Sequence, residues 1–423
     1  MVVYVISIDG QPLMPMKRFG KVRRLLKEKK AKVVRKSPFT IKLLYETETC
    51  VVQDVVLGVD TGSKTIGASC VGNDEVLYQS QTTVRTDIKK KLDNKRSYRR
   101  NRRNRKTRYR KPRFLNRKNS TKLDRLPPSV RHKVQAHIDE IEFCKKILPI
   151  SKIVLEVSQF DTHLMKDPKL KFEKIKHWGY QKGFNYGFSS RKEAILNRDN
   201  YTCQICKTKN TRLEVHHIVY RSNGGTDDEN NLIILCKDCH KKIHSGEIKV
   251  NLKPKALKLK EATHMNIIRN QLLKRYPDAI ETFGFVTKEN RNNLKLEKDH
   301  YIDACVIASG GKRFKPNDEI FYKRRVSKGD YQLCKGNRGE QKLPTGKIQG
   351  FKKFDKVEYM KDIYFIKGRM SSGYAVLMDI FNNKVDFSHM PKGFKIPKLS
   401  SCKRIGARKS VLCIREKITT KVA

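Results

Sequence analysis

The chain has 423 residues, with 94 Lys or Arg against 43 Asp or Glu, for a formal net charge of +51 at pH 7. Charge of that size exceeds what solubility needs and opposes a compact fold by self-repulsion, so it implies a polyanionic partner, with nucleic acid the default class. The 11 cysteines are odd in number and mostly scattered, which excludes a secreted disulfide framework, and no apolar run approaches the roughly 18 residues of a membrane span.

The expected setting is a reducing cytoplasm, with no membrane partner and no signal peptide in the interrupted N-terminal stretch. Residues 2–8 (VVYVISI) read as a strand, Gln11 to Pro15 as a turn, Lys17 to Lys30 as a basic helix, and Ala31 to Tyr45 as two more strands. This gives a small α+β unit. An apolar strand from Val55 runs into Asp60, and strands after Lys64 and over Asn73 to Val84 complete an antiparallel meander.

From Lys89 to Lys118, 17 of the thirty residues are Lys or Arg. Such a segment has no apolar face to bury, and its like charges at i, i+4 oppose a helix until a polyanion screens them. A phosphate-clamped helix is expected up to about Tyr109, ended by Pro112. Val130 to Ile147 is an amphipathic helix, Ile150 to Val157 a strand passing Glu156, and Asp161 to Ser190 a polar connector. Arg191 to Arg198 is a short helix leading into a cysteine module. A helix over Ala262 to Tyr276, an apolar strand over Ile280 to Val286 and a helix over Asp299 to Ala308 follow. From Pro316 the pattern is short strands and Gly-rich turns, a β-rich domain.

The cysteine module carries Cys203 and Cys206, then Cys236 and Cys239, two Cys-x2-Cys pairs with 29 residues between them. Four thiolates at that spacing suit one tetrahedral Zn2+ with no open position, a structural site that holds a small fold together. Four histidines accompany it. His240 and His244 are spaced i, i+4, on one helix face, and suit a shared divalent ion. His216 and His217 end a strand and point to opposite sides, so one can bind metal while the other faces substrate. A metal that stabilises the scissile phosphate, with an imidazole that activates water, is the chemistry of a phosphodiester hydrolase.

Three acids far apart in the chain stand at the ends of apolar segments: Asp60 after VVLGV, Glu156 after KIVL, and Asp303 in KDHYIDACVIA. A buried carboxylate is costly alone, and two or three that meet in space hold Mg2+ ions for in-line cleavage. His300 shares a helix face with Asp303 and can assist proton transfer. Taken singly, a strand-end acid is more often a turn former or cap than a ligand.

The string from LEVHH to KKIH resembles the HNH, or ββα-metal, nuclease family. The resemblance implies His217 as general base, His216 and His240 as ligands of the catalytic ion with His244 a third, and Asn231 as the residue that orients the site. His-His replaces the commoner Asp-His pair, so the catalytic ion is open: an all-His site suits Zn2+, an Asp favours Mg2+. The pieces GVDTG, LEVSQF and HYID resemble the RuvC nuclease family, of RNase H-like fold, with the HNH module inserted between the second and third. The N-terminal VVYVISIDGQPLMP is similar to the PLMP domain of the IscB family of transposon-encoded RNA-guided DNA endonucleases, here Pro12, Leu13, Met14 and Pro15.

The fold class expected is therefore α/β and multidomain: a split RNase H-like RuvC domain with an inserted zinc-stabilised HNH domain, a small N-terminal α+β domain and a β-rich C-terminal domain. The implied parts are 1–54 PLMP-like, 55–84 first RuvC part, 85–120 Arg-rich bridge helix, 121–186 second RuvC part and connector, 187–250 HNH, 251–312 third RuvC part, and 313–423 a β-rich C-terminal domain that either reads a target-adjacent motif or binds duplex or RNA generally. In the bridge helix, Arg96, Arg99, Arg100, Arg102, Arg103 and Arg105 are expected on guide phosphates. The resemblance implies a monomeric prokaryotic ribonucleoprotein with a guide RNA of the omega type, double-stranded target DNA as substrate, Mg2+ at the RuvC acids and the HNH centre, and structural Zn2+. Two other readings stay open at this level: a guide-independent HNH endonuclease on a silent scaffold, and a non-cleaving RNA-binding transposon accessory protein.

Overall fold

The computed structural model describes residues 2–47, 52–104, 125–162, 165, 187–209, 211–223, 225–248, 259–327, 346–391 and 393–418. They fall into two compact units, Met1–Gln159 with His264–Ala423, and Phe160–Thr263.

In the first unit, β1 (Val3–Ile6), β2 (Pro12–Met16), α1 (Phe19–Lys27), β3 (Ala31–Lys36) and β4 (Phe39–Leu43) build a sheet of order β2-β1-β4-β3. The expected turn over Gln11 to Pro15 is instead part of strand β2. The chain reverses at residues 8–10, where Gly10 takes φ +89°, and Val5 then pairs with Leu13 and Ile6 with Pro12. Prolines fit there because β2 is an edge strand, where a missing N–H need not break a ladder. Val3, Val5, Val22, Leu25, Ile41 and Leu43 form its core.

Next come β5 (Val55–Asp60), β6 (Thr65–Gly72), β7 (Glu75–Thr83), α2 (Ile88–Asn104), α3 (Pro128–Lys145) and β8 (Ile150–Glu156). The second unit contributes α4 (Arg191–Arg198), β9 (Leu213–His217), β10 (Leu232–Cys236) and α5 (Lys237–Ser245). Past α6 (Lys260–Arg275) lie β11 (Ile280–Thr282), α7 (Gly284–Asn293), α8 (His300–Ser309), β12 (Glu319–Arg325), β13 (Lys356–Tyr359), β14 (Asp362–Arg369), β15 (Ala375–Met378), β16 (Lys403–Gly406) and β17 (Val411–Lys417).

Seven strands form the main sheet, in the order β11-β8-β5-β6-β7-β12-β17. β5, β6 and β7 are an antiparallel meander, whereas β8 runs parallel to β5 and β11 parallel to β8. Both faces are covered, so β5 reads as a nearly unbroken apolar run. Alternation along β7 sends Tyr78, Ser80 and Thr82 to α3, where Glu140 accepts from Ser80 (2.7 Å), and Gln79 to α8, where it meets Cys305. Glu140 also takes the buried Lys323 ammonium of β12 at 2.6 Å, over the Phe143 ring. β12 and β17, in the stretch 313–423, thus extend this sheet, while β13 to β16 form a separate small one of order β15-β14-β13-β16 around Val357, Ile366, Leu377 and Leu399.

The expected strand over Ile280 to Val286 stops at Thr282, and helix α7 starts at Gly284. A short apolar run does not separate strand from helix start by periodicity alone. The Arg-rich segment is helical to Asn104; Tyr109 and Pro112 lie outside the described residues.

Candidate active sites

The second unit is a ββα arrangement. β9 and β10 pair antiparallel with His216 opposite Ile233 and His217 opposite Leu232. Helix α4 starts at a capping box: Ser190 Oγ accepts from Glu193 N, and Glu193 reaches back to accept from Ser189 N at 2.9 Å. Cys236 Sγ caps α5 by accepting from Cys239 N, and Gly246, at φ +83°, closes the helix. The core, chiefly Ile195, Leu232, Ile234 and Leu235 beside the cysteines, is small.

The thiol sulfurs of Cys203, Cys206, Cys236 and Cys239 lie within 4.8 Å of one another, with Cys206 Sγ to Cys236 Sγ at 3.7 Å. Four sulfurs at about 2.3 Å from one Zn2+ are separated by about 3.8 Å, so the cluster fits that ion. Ring nitrogens of His216 on β9 and of His240 and His244 on α5 also lie within 4.8 Å of one another, His240 Nε2 and His244 Nε2 at 3.2 Å. Burial, then the adjacent His240, His244 and His217, push His216 down to about 4, which keeps its imidazole neutral and able to donate a lone pair. His240 Nδ1 bonds to Glu214 Oε2 at 2.7 Å, which leaves Nε2 to face the cluster. Glu214 was not singled out from sequence; it sits two residues before His216 on β9, hence on the same strand face.

His217 lies on the other face, where its Nε2 meets Asp227 Oδ1 at 2.8 Å. Arg221 donates to the same carboxylate at 2.7 Å and 2.9 Å, and these bonds hold Asp227 below the usual carboxylate range, His217 first. Asn231 is buried and faces the loop, not the histidines: its Oδ1 accepts from Val219 N (2.8 Å) and its Nδ2 donates to Thr226 O (2.7 Å) and Val219 O (3.0 Å). It braces the turn after His217. Gly225 is required in that turn, since a Cβ would stand 1.8 Å from Val219 O.

In the first unit, Asp60 and Glu156 are directly paired at the ends of the parallel neighbours β5 and β8. Helix α8 lies close on that face because Gly58 and Gly67 have no side chain: a Cβ would meet Ala304 O at 2.4 Å and His300 O at 1.9 Å. This approach brings His300 Nδ1 to 2.5 Å from Asp60 Oδ2 and seats Asp303 nearby, buried and ion-paired with Arg291 of α7. Burial raises the Asp60 carboxyl, against the His300 hydrogen bond. Burial, joined by the Asp60 and Asp303 charges, pushes Glu156 up to about 7, against a hydrogen bond from Thr287. The His300 ring is raised by its bond to Asp60. Asp60 and Glu156 are thus neighbouring carboxylates in a partly dry site, with His300 on the first and Arg291 on the nearby Asp303. Arg291 and Thr287 were invisible in sequence, because α7 itself was not expected.

Arg96, Arg99 and Arg100 are exposed on α2, and Arg102 and Arg103 continue its helical backbone; Arg105 lies outside the described residues. Among the described residues, no helix is long and apolar enough to cross a membrane.

Two family models match the chain: RRXRR protein over residues 3–183 and HNH endonuclease over residues 203–246. Arg99, Arg100, Asn101, Arg102 and Arg103 spell the first family's pattern. Among curated proteins, Anaredoxin of Nostoc sp. is 33% identical over 67 residues, 16% of this chain and 88% of that protein. The type IV methyl-directed restriction enzyme EcoKMcrA of Escherichia coli is 32% identical over 88 residues, 19% of this chain and 29% of the enzyme. Among solved structures, Streptococcus thermophilus Cas9 in complex with the GGAA PAM aligns at TM-score 0.35 and 14% identity, over 57% of this chain and 32% of that one. An RRXRR region over residues 3–183 joined to an HNH endonuclease module over residues 203–246 supports an IscB-like nuclease.

Proposed function

We propose that the protein is an RNA-guided DNA endonuclease with two hydrolytic centres, the HNH centre cutting the guide-paired strand and a RuvC centre the displaced strand. The main sheet supports a split RuvC domain of RNase H-like fold: an antiparallel meander, β5 to β7, with β8 and β11 added in parallel beside β5. In this reading 1–54 is the PLMP-like domain, 55–84, 121–186 and 251–312 are the RuvC parts, 85–120 is the bridge helix and 187–250 the HNH domain. The reader of a target-adjacent motif within 313–423 is then the small sheet from Lys356 to Gly406, since β12 and β17 belong to the main sheet.

One observation carries the proposal. Asp60, Glu156 and the His300–Asp303 helix turn converge at one end of a sheet, although a unit with its own metal-ready histidines is inserted between Glu156 and Asp303. Two hydrolytic centres in one chain suit a substrate whose strands have been separated, and a guide RNA paired to one strand does that. The charge of +51 suits a ribonucleoprotein that grips backbones, with Arg96, Arg99, Arg100, Arg102, Arg103 and Arg105 on guide phosphates.

A divalent ion at each centre supplies Lewis-acid stabilisation of the scissile phosphate and leaving oxygen. His216, His240 and His244 would hold it in the HNH unit, and Asp60, Glu156 and Asp303 would hold Mg2+ at the sheet. His217 takes the proton of the attacking water on the ring nitrogen that does not face Asp227, while Asp227 fixes the ring's orientation. His300 moves a proton beside Asp60. Asn231 keeps the His217 loop in shape. The four cysteines would hold a structural Zn2+ that keeps the inserted unit folded.

The test is to sequence RNA that co-purifies with the protein from its native locus, at salt high enough to strip loose RNA. One dominant RNA with a variable end and a structured remainder is expected. A heterogeneous mixture would contradict guidance and favour a guide-independent HNH endonuclease.

A further inference from the structure

At the rim of the carboxylate site stand two aromatic rings that the core does not use. Strand β11 runs beside β8 with Thr282 opposite Glu156, and Val157 N donates to Thr282 O at 2.9 Å. Phe283 is the next residue, and α7 begins after it. Phe283 is 42% exposed and Phe285 70% exposed, and their rings lie parallel within 8°, centroids 6.0 Å apart. A scattered exposed apolar residue needs no explanation, but a parallel pair of exposed rings beside a buried acidic cluster does.

The pair is rigidly tied to the site. Gly284, between the two rings, lies against Glu156: a Cβ there would stand 3.1 Å from Glu156 Oε1. Val286 N and Thr287 N both donate to Phe283 O, at 3.0 Å and 3.2 Å, so the rings ride on a formed helical turn. The Thr287 hydroxyl from that turn also donates to Phe283 O at 3.5 Å, and Arg291, further along α7, pairs with Asp303. Lys288, exposed and three residues after Phe285, adds a cation on the same helix face.

We propose that Phe285, backed by Phe283, is a stacking platform for an unpaired nucleobase of the DNA strand cut at the Asp60–Glu156–Asp303 site. The proposal rests on reading that cluster as a nuclease centre for a displaced strand. A phosphodiester held by the three acids has its flanking bases within one or two nucleotides of the carboxylates, where these rings stand. In a duplex those base faces are covered by their neighbours; in a displaced strand they are free to stack on a ring. The rings present faces rather than donors or acceptors, so the platform tolerates any base, as a guide-programmed enzyme needs. Its role is to hold the strand in register with the acids, with Lys288 on the backbone.

The test uses the full protein with its guide RNA and a duplex whose displaced strand carries a single abasic nucleotide at successive positions around the cut. One abasic position is expected to raise KM for displaced-strand cleavage by about tenfold. Phe285→Ala should cause the same loss on intact DNA and no further loss on the abasic strand, and Phe285→Tyr should restore it. Cleavage of the guide-paired strand should be unchanged throughout. Equal cleavage of intact DNA by Phe285→Ala and the parent, or losses that multiply, would overturn the platform. A second readout needs no cleavage: 2-aminopurine at the sensitive position, in Asp60→Ala protein, should be quenched on binding and lose that quenching with Phe285→Ala added. Absent quenching overturns the platform even if the centre cuts. Displaced-strand cutting that survives Asp60→Ala would instead overturn the nuclease reading of the centre.

Discussion

The histidine cluster draws His216, His240 and His244 from one strand and one helix of a small unit, whereas Asp60, Glu156 and Asp303 come from two strands and a helix of a large sheet. Among its described residues the small unit has few buried aliphatic side chains, a shortfall that a metal held by the four thiolates would offset. The large unit has core on both faces of its sheet and needs no staple; there the site depends on backbone fit, through Gly58 and Gly67 beneath α8. The ligands differ in the same sense. Burial keeps the His216 imidazole neutral, while burial, joined by the Asp60 and Asp303 charges, raises the proton affinity of Glu156.

This contrast breaks first at the cysteines. Replacing Cys203 and Cys236 by Ser should remove bound zinc and unfold the inserted unit, abolishing His217-dependent cleavage, because structural zinc contributes on the order of 10 kcal/mol in small folds. Cleavage that depends on Asp60 should persist. Metal analysis with strand-specific cleavage checks both, and His217-dependent cutting by zinc-free protein would contradict the structural role.

Glu214→Gln should weaken metal binding at the histidines by about 10- to 100-fold, since it removes the charge that orients His240. Titration of cleavage of the His217-dependent strand against metal concentration measures it. Unchanged affinity would mean that His240 is held by packing alone.

The two centres should also part company with pH. Without metal, the folded protein keeps a proton on Glu156 up to about 7, above the roughly 4.5 of an unfolded glutamate, so the metal-free fold loses stability as pH rises through that window. An ion must displace this proton, and its apparent affinity at the sheet should fall by up to about tenfold per pH unit below 7. His216, held down to about 4, imposes no such proton over the same range. Mg2+ titrations of Asp60-dependent cleavage between pH 5.5 and pH 8, roughly the window of this titration, check the sign. A flat Mg2+ requirement would contradict it.

The smallest effect expected is that of Gly58→Ala, at about 1–3 kcal/mol of stability. The added methyl meets Ala304 O, so α8 must shift and carry His300 and Asp303 away from Asp60. Thermal unfolding with Asp60-dependent cleavage reads it, and native activity would show that α8 has slack.

Much of this was legible because it is local. The Cys-x2-Cys pairs, the i, i+4 histidines and the strand ending in His216 and His217 carry their geometry in their spacing, and Asp60, Glu156 and Asp303 could be marked as acids closing apolar segments. What was not legible depends on tertiary register. Nothing in KENRNN says that Arg291 meets Asp303, and nothing in TDDENN says that Asp227 rather than Asn231 faces His217. Strand β2 was missed because prolines mark turns except at a sheet edge, and β12 and β17 were not separable from the small sheet because short strands do not name their partners.

The central claim is that the chain holds two centres for two strands. It is tested most directly by a guide-programmed duplex labelled separately on each strand, cut by the parent protein, His217→Ala and Asp60→Ala. The account predicts that His217→Ala leaves only the displaced strand cut and Asp60→Ala only the guide-paired strand, each loss being at least about 100-fold. Loss of the same strand in both variants, or cutting that is independent of the guide, would contradict it.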